Sequence, residues 1–178
     1  MKRIILPFFC FFSSFAIGQA EQEITYKNSF DGFIFKYPSE WDSTTFSRLK
    51  EQFKVDFGAT IKPNFNNNKT GGYFTLKKSN SFGADIAILS RETEASLKQV
   101  YPNAKIIESK QKLSKNNIPY HSLITQIEQF GSIRTTSTIQ IIKGNALFTF
   151  SFICPKNGFD KLNLYFETVI ESFKFIPQ

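Results

Sequence analysis

The stretch from Lys105 to Pro155 constrains the fold more than any other part of the sequence. It holds four runs of strand-forming residues in succession: Ile106 to Leu113, Pro119 to Gln129, Ile133 to Lys143 and Ala146 to Cys154. The breaks between them, at Lys115-Asn116-Asn117, Gly131 and Gly144-Asn145, are too short for a helix. Strands joined by such turns must be antiparallel, because a parallel crossover needs about a dozen residues or more. Gly144-Asn145 between two alternating runs is a two-residue hairpin signal, since tight hairpins need positive φ in the turn. The last run is apolar on one face at Ala146, Phe148, Phe150 and Phe152, and partly so on the other at Leu147 and Ile153. A strand with few polar residues on either face is central and covered on both sides. The expected fold class is therefore α+β, with an antiparallel β-sheet of about six strands sandwiched between α-helices.

The other segments supply the covering layers. Ile24 and Tyr26, then Asn28 to Gly32, then Phe33, Phe35 and Tyr37 read as two short strands around a turn, stopped by Pro38. Behind Trp41, Ser43 is a plausible N-cap, and Phe46, Leu49, Phe53 and Phe57 follow at helical spacing with Gly58 after them. The reading is an amphipathic helix with Arg48, Lys50, Glu51 and Lys54 on its far side. Lys62 to Gly72, with Pro63, Asn66, Asn67, Asn68 and Gly71, has loop composition. A short strand at Tyr73 to Lys78 precedes a second helix from about Ala84 to Val100, whose stripe is Ile86, Leu89, Leu97 and Val100. The closing helix, Phe159 to Phe173, has Phe159, Leu162, Phe166, Val169 and Phe173 on one stripe.

The first twenty residues read as a cleavable export signal. Lys2 and Arg3 precede an apolar stretch from Ile4 to Ile17, and small residues follow at Gly18 and Ala20. The stretch is shorter than the roughly 20 apolar residues of a membrane crossing and contains Pro7. Cleavage after Ala20 fits that layout, and cleavage after Gly18 fits it nearly as well. Pro7, Phe8 and Phe9 are too bulky to make Cys10 a lipid-attachment site. Removal of residues 1–20 takes the net charge from +7 to +5, leaves 17 of the 22 Phe, and leaves Cys154 as the sole thiol. A single Cys excludes an intramolecular disulfide framework, so residues 21–178 stand on one core as one domain. Its size is enough, since a chain of about 150 residues buries near 70% of its surface.

Chemistry has few candidates. His121 is the only His, which excludes two-His metal sites. It shares a strand face with Leu123, Thr125 and Ile127 and reads as structural, no acid/base partner being nominated by the sequence. Cys154 lies on the Phe148, Phe150 and Phe152 face and reads as a small buried apolar residue. Glu92 and Glu94 point to different sides of their helix and read as solvated rather than as a catalytic pair. No nucleophile elbow, phosphate-cradling glycine loop or CxxC pair occurs. Asn68-Lys69-Thr70 matches the N-glycosylation triplet, relevant only in a eukaryotic secretory pathway. Lys105, Lys110, Lys112 and Lys115 could face an anionic partner, but Lys on an edge strand also blocks unwanted pairing, and that reading is preferred. The expectation is no catalytic, cofactor or metal residue and no nucleic-acid partner.

Gly32-Phe33-Ile34-Phe35-Lys36-Tyr37-Pro38-Ser39-Glu40-Trp41 resembles the opening of the PsbP/Mog1-like family, where an aromatic strand runs into Tyr-Pro and then a Trp. Glu171-Ser172-Phe173-Lys174-Phe175 is similar to the way those domains close, and the order of elements between is also similar. The resemblance implies an antiparallel sheet between helices and a binding role. Plant and cyanobacterial members support photosystem II, nuclear members bind a small GTPase, and many exported bacterial members have no assigned role. It carries over no functional residue: metal contacts in the photosynthetic branch involve His, and His121 is not in a matching motif. The expected protein is an exported, non-catalytic accessory or binding domain with a protein partner at the cell envelope, periplasmic or extracellular. The alternative is a ligand-binding or membrane-associated protein using an aromatic pocket or the Phe46 to Phe57 helix.

Overall fold

A computed structural model describes residues 22–43, 54–62, 71–129 and 131–177. The expected export signal, the helical stripe expected at Phe46, Leu49 and Phe53, most of the Lys62 to Gly72 loop and the Asn68-Lys69-Thr70 triplet lie outside these residues. The meander forms as its alternation demands. Strands β5 (Lys105–Leu113), β6 (Pro119–Gln129), β7 (Ser132–Lys143) and β8 (Ala146–Pro155) pair antiparallel in sequence order. Lys143 faces Ala146 across the last turn, and Gly144 takes φ +57° there, the left-handed conformation the hairpin needs.

Strand β4 (Gly72–Asn80) pairs with β8 and β3 (Phe57–Ile61) with β4, giving a six-stranded antiparallel sheet in the order β3-β4-β8-β7-β6-β5. Phe57 thus corrects the helix expected up to that residue. It opens a strand in which Phe57, Ala59 and Ile61 all point into the core. Gly58, read as the end of a helix, is a strand residue opposite Thr75.

The N-terminal pair does not join this sheet. Strands β1 (Glu23–Asn28) and β2 (Phe33–Pro38) combine with the two-residue β9 (Lys174–Phe175) in a second, three-stranded sheet. Its inner residues Phe33, Phe35 and Tyr37 meet the inner face of the large sheet. Helix α2 (Phe159–Ser172) lies on that side too, burying Leu162, Phe166, Val169 and Ile170. Aromatic rings fill the space between the layers. The Phe35 ring centre is 5.3 Å from Phe57, 6.0 Å from Phe74 and 6.2 Å from Phe150, with edge-on geometry in each pair. Trp41 covers Phe74 at 5.4 Å. The residues of this buried cluster run from Phe33 to Phe173.

Helix α1 (Ile86–Val100) covers the opposite face of the large sheet, which places helices on both faces as expected. Asp85 caps it, accepting from the Ala87 and Ile88 amides at 2.8 Å each. Yet α1 buries no residue, and Val100, assigned to its apolar stripe, is 65% exposed. Weak packing leaves more of its stability to the cap. Asp85→Ala is expected to cost about 1 kcal/mol in chemical denaturation.

Candidate functional site

Beneath α1 the large sheet carries a polar patch rather than an apolar one. Because opposed residues of antiparallel strands share a face, Gln111, His121 and Gln140 line up across β5, β6 and β7. Ser109 joins them one alternation along β5. Thr93 and Glu94 descend from the helix onto this row. Ser109 Oγ donates to Glu94 and stands 2.9 Å from His121 Nε2, while His121 Nδ1 is 3.2 Å from Gln140 Oε1. The Gln140 amide donates to Thr93 Oγ1 at 3.1 Å. His121 is 1% exposed and Gln140 5%.

Glu94 therefore corrects the expectation that both helix carboxylates are solvated. Glu92 is exposed, but Glu94 is half-buried and bonded to the sheet. The order of contacts is Glu, Ser, His. A nucleophilic Ser needs its proton taken by the His, with the acid behind the ring. In this network the Ser109 proton goes to Glu94 and the ring is buried behind it. The chemistry this geometry supports is bonding between helix and sheet.

Cys154 is 2% exposed on the inner face, as expected, and burial pushes its thiol up to about 12, with Asp160 adding to the shift. The reactive thiolate is thus scarce at any ordinary pH. A thiol reagent at pH 8 is expected to leave the native protein unlabelled and to modify Cys154 fully in denaturant. Rapid native labelling would contradict this placement.

The four lysines do not gather into one patch. Lys110 and Lys112 hold Glu108 at 3.2 and 2.6 Å on the edge strand. Lys105 begins β5 at one end of the sheet, and Lys115 sits beyond its other end. The Lys112 hydrogen bond, followed by Lys110, holds the Glu108 carboxyl below the usual carboxylate range. A depressed folded value stabilises above the unfolded value and loses that contribution as pH falls through the folded one. Glu108→Gln should therefore lower stability at neutral pH and above, change little at the acid end, and so flatten the acid limb of a stability-against-pH curve.

Two open clefts lie apart from the His121 network. One, of about 390 Å³, includes Thr60, Tyr73, Ile133, Arg134 and Cys154 in its wall; the other, of about 400 Å³, lies between Phe82 and α1 at Ile88 and Glu92. His121 lines neither. Among the described residues no group of three or more His, Cys, Asp or Glu is placed to hold a metal ion, and no helix is long and apolar enough to cross a membrane.

Two antiparallel sheets sharing an aromatic core, with a helix on each face of the larger, define a mixed α+β domain of PsbP/Mog1-like fold. The chain belongs to the PsbP family, whose family model matches residues 22–175. No curated protein matches it by sequence. Among solved structures it is similar to cyanobacterial PsbP (CyanoP) from Synechocystis sp. PCC 6803, at 16% identity and TM-score 0.59, over 90% of this chain and 95% of that one. It is likewise similar to the Saccharomyces cerevisiae Ran-binding protein Mog1p, at 6% identity and TM-score 0.59, over 88% and 97%. LpqN of Mycobacterium tuberculosis, described as involved in cell envelope biogenesis, matches at 15% identity and TM-score 0.50, over 90% and 88%. Identities this low speak for the fold alone.

Proposed function

We propose that this chain is an exported, non-catalytic accessory domain that binds a protein partner at the cell envelope. The observation that carries the reading is the sealed network at His121. The single His and its acid are spent on joining α1 to the sheet, and the lone thiol is held neutral, so the groups that most often do chemistry face inward. Family membership supports the binding role. One relative by fold is named for binding Ran and another for envelope biogenesis. The family match begins at residue 22 and β1 at Glu23, just behind the expected cleavage point after Gly18 or Ala20, which supports export.

Two measurements test it. The envelope or secreted fraction of cells producing the full chain should contain a protein beginning at Gln19 or Glu21; a chain that keeps Met1 and stays in the cytoplasm overturns the export. Purified residues 21–178 should show no turnover on an ester, phosphate and glycoside panel. Turnover abolished by His121→Ala or Ser109→Ala overturns the non-catalytic reading.

A further inference from the structure

One end of the large sheet gathers four turns that are distant in sequence. Asp31, in the β1–β2 turn, pairs with Lys78 near the end of β4. The Ser81 amide, just after β4, donates to Asn145 O in the β7–β8 turn at 2.8 Å. Asn116, in the β5–β6 turn, donates to Phe173 O at 2.9 Å, and Ile176 donates to Gly32 O at 2.9 Å. These bonds fix the four turns as one rigid end.

Two of the turns and the last residue of β5 display a large apolar side chain to solvent. Phe30 is 89% exposed, Phe82 is 90% exposed and Leu113 is 66% exposed. Phe82 also has φ +52°, a conformation costly for a bulky residue and natural to Asn or Gly. The turn is built to hold it. Asn80 Oδ1 accepts the Phe82 amide at 2.7 Å, and the Ala84 amide closes on Ser81 O at 2.9 Å.

Lysines slightly outnumber carboxylates at this end. Lys27, Lys77, Lys115, Lys143 and Lys174 are exposed and make no ion pair among the described residues. The nearby carboxylates are Asp31, paired with Lys78, then Asp85, Asp56 and Glu171, which accept from backbone amides and keep their charge, and Glu92, exposed beside Phe82.

From this juxtaposition we propose that the turn end docks on the surface of an anionic lipid bilayer, with Phe82, Phe30 and Leu113 entering the headgroup boundary. Apolar tips on two turns and a strand end, with lysines between them, suit a flat boundary that is greasy below and negative above. The contact is peripheral and uses a different surface from the expected Phe46 to Phe57 helix. It does not depend on export.

The test is sedimentation of residues 21–178 with vesicles of phosphatidylcholine containing about a third phosphatidylglycerol, beside pure phosphatidylcholine vesicles. The expected result is salt-sensitive binding to the anionic vesicles only. Phe82→Ala should weaken it about tenfold or more, and joint replacement of Lys27, Lys115 and Lys143 by Gln on the order of 100-fold. Lys105→Gln with Lys156→Gln, at the other end of the sheet, should leave it unchanged. No binding of the unaltered protein, or binding indifferent to Phe82 and these lysines, overturns the proposal. Two further measurements keep a misfolded variant from deciding the matter: far-UV circular dichroism, and binding by the conservative Phe82→Leu.

Discussion

Phe35→Ala is expected to lower the unfolding free energy by about 3–5 kcal/mol. Phe35 is fully buried on the small sheet, and its ring meets Phe57, Phe74 and Phe150, one from each of three strands of the large sheet. Deleting the ring removes its own transfer energy and leaves a void that neighbours from two different sheets must close together. Strands cannot shift freely to do so, because β2 is pinned by β1, by β9 and by the Ser172 hydroxyl at the Lys36 amide. A domain is stable by only about 5–15 kcal/mol, so the loss is a large share of the total. Equilibrium denaturation would show it as a fall in midpoint at unchanged slope. A change below about 1 kcal/mol would mean that the two sheets do not share this core.

The second large effect is expected at His121. His121→Ala should cost about 2–4 kcal/mol, because it strips Ser109 and Gln140 of a buried partner while α1 still shields them from water. The test that separates bonding from mere filling is a double-mutant cycle with Glu94. Glu94 does not touch His121 directly; Ser109 stands between them. A coupling of about 0.5–3 kcal/mol between Glu94→Ala and His121→Ala would show a connected network. Strict additivity would show that the ring only fills space.

The meander and α2 were legible because their signals are local. Alternation within each of the last four long strands, Gly144 at the hairpin, and the Leu162, Phe166, Val169 stripe each need only a short window of sequence. The opening motif from Gly32 to Trp41 is likewise visible as written, and its aromatics are the small sheet's share of the core. Strand β3 was not legible, because Phe57 closes a helically spaced series with Phe46, Leu49 and Phe53. The competing signal, inward Phe57, Ala59 and Ile61 at a period of two, spans only five residues and contains a glycine. The division into two sheets had no local trace at all. It rests on β9 pairing with β2 through two residues about 140 positions away in the chain.

The network under α1 was hidden for a related reason. Polar residues such as Thr93 and Glu94 on a helix read as solvent-facing by default, and only the register of β5 against β6 brings Ser109 beside His121. That default assigns a polar helix face to water; in this fold it meets a polar patch of sheet. The Phe82 end is hidden in the same way, since its four turns come together only when the strands have paired.

The most direct test of a protein that works through its surface, and of the turn end as that surface, is the depth of position 82 in a bilayer. Trp41 is the only Trp and is 2% exposed, so its emission serves as an internal reference. Phe82→Trp and, at the far end of α1, Val100→Trp each add one surface reporter. With phosphatidylglycerol-containing vesicles carrying brominated acyl chains, the account predicts a blue shift and quenching at position 82 and neither at position 100. Equal responses at the two positions, or none at position 82 while binding persists, would contradict it.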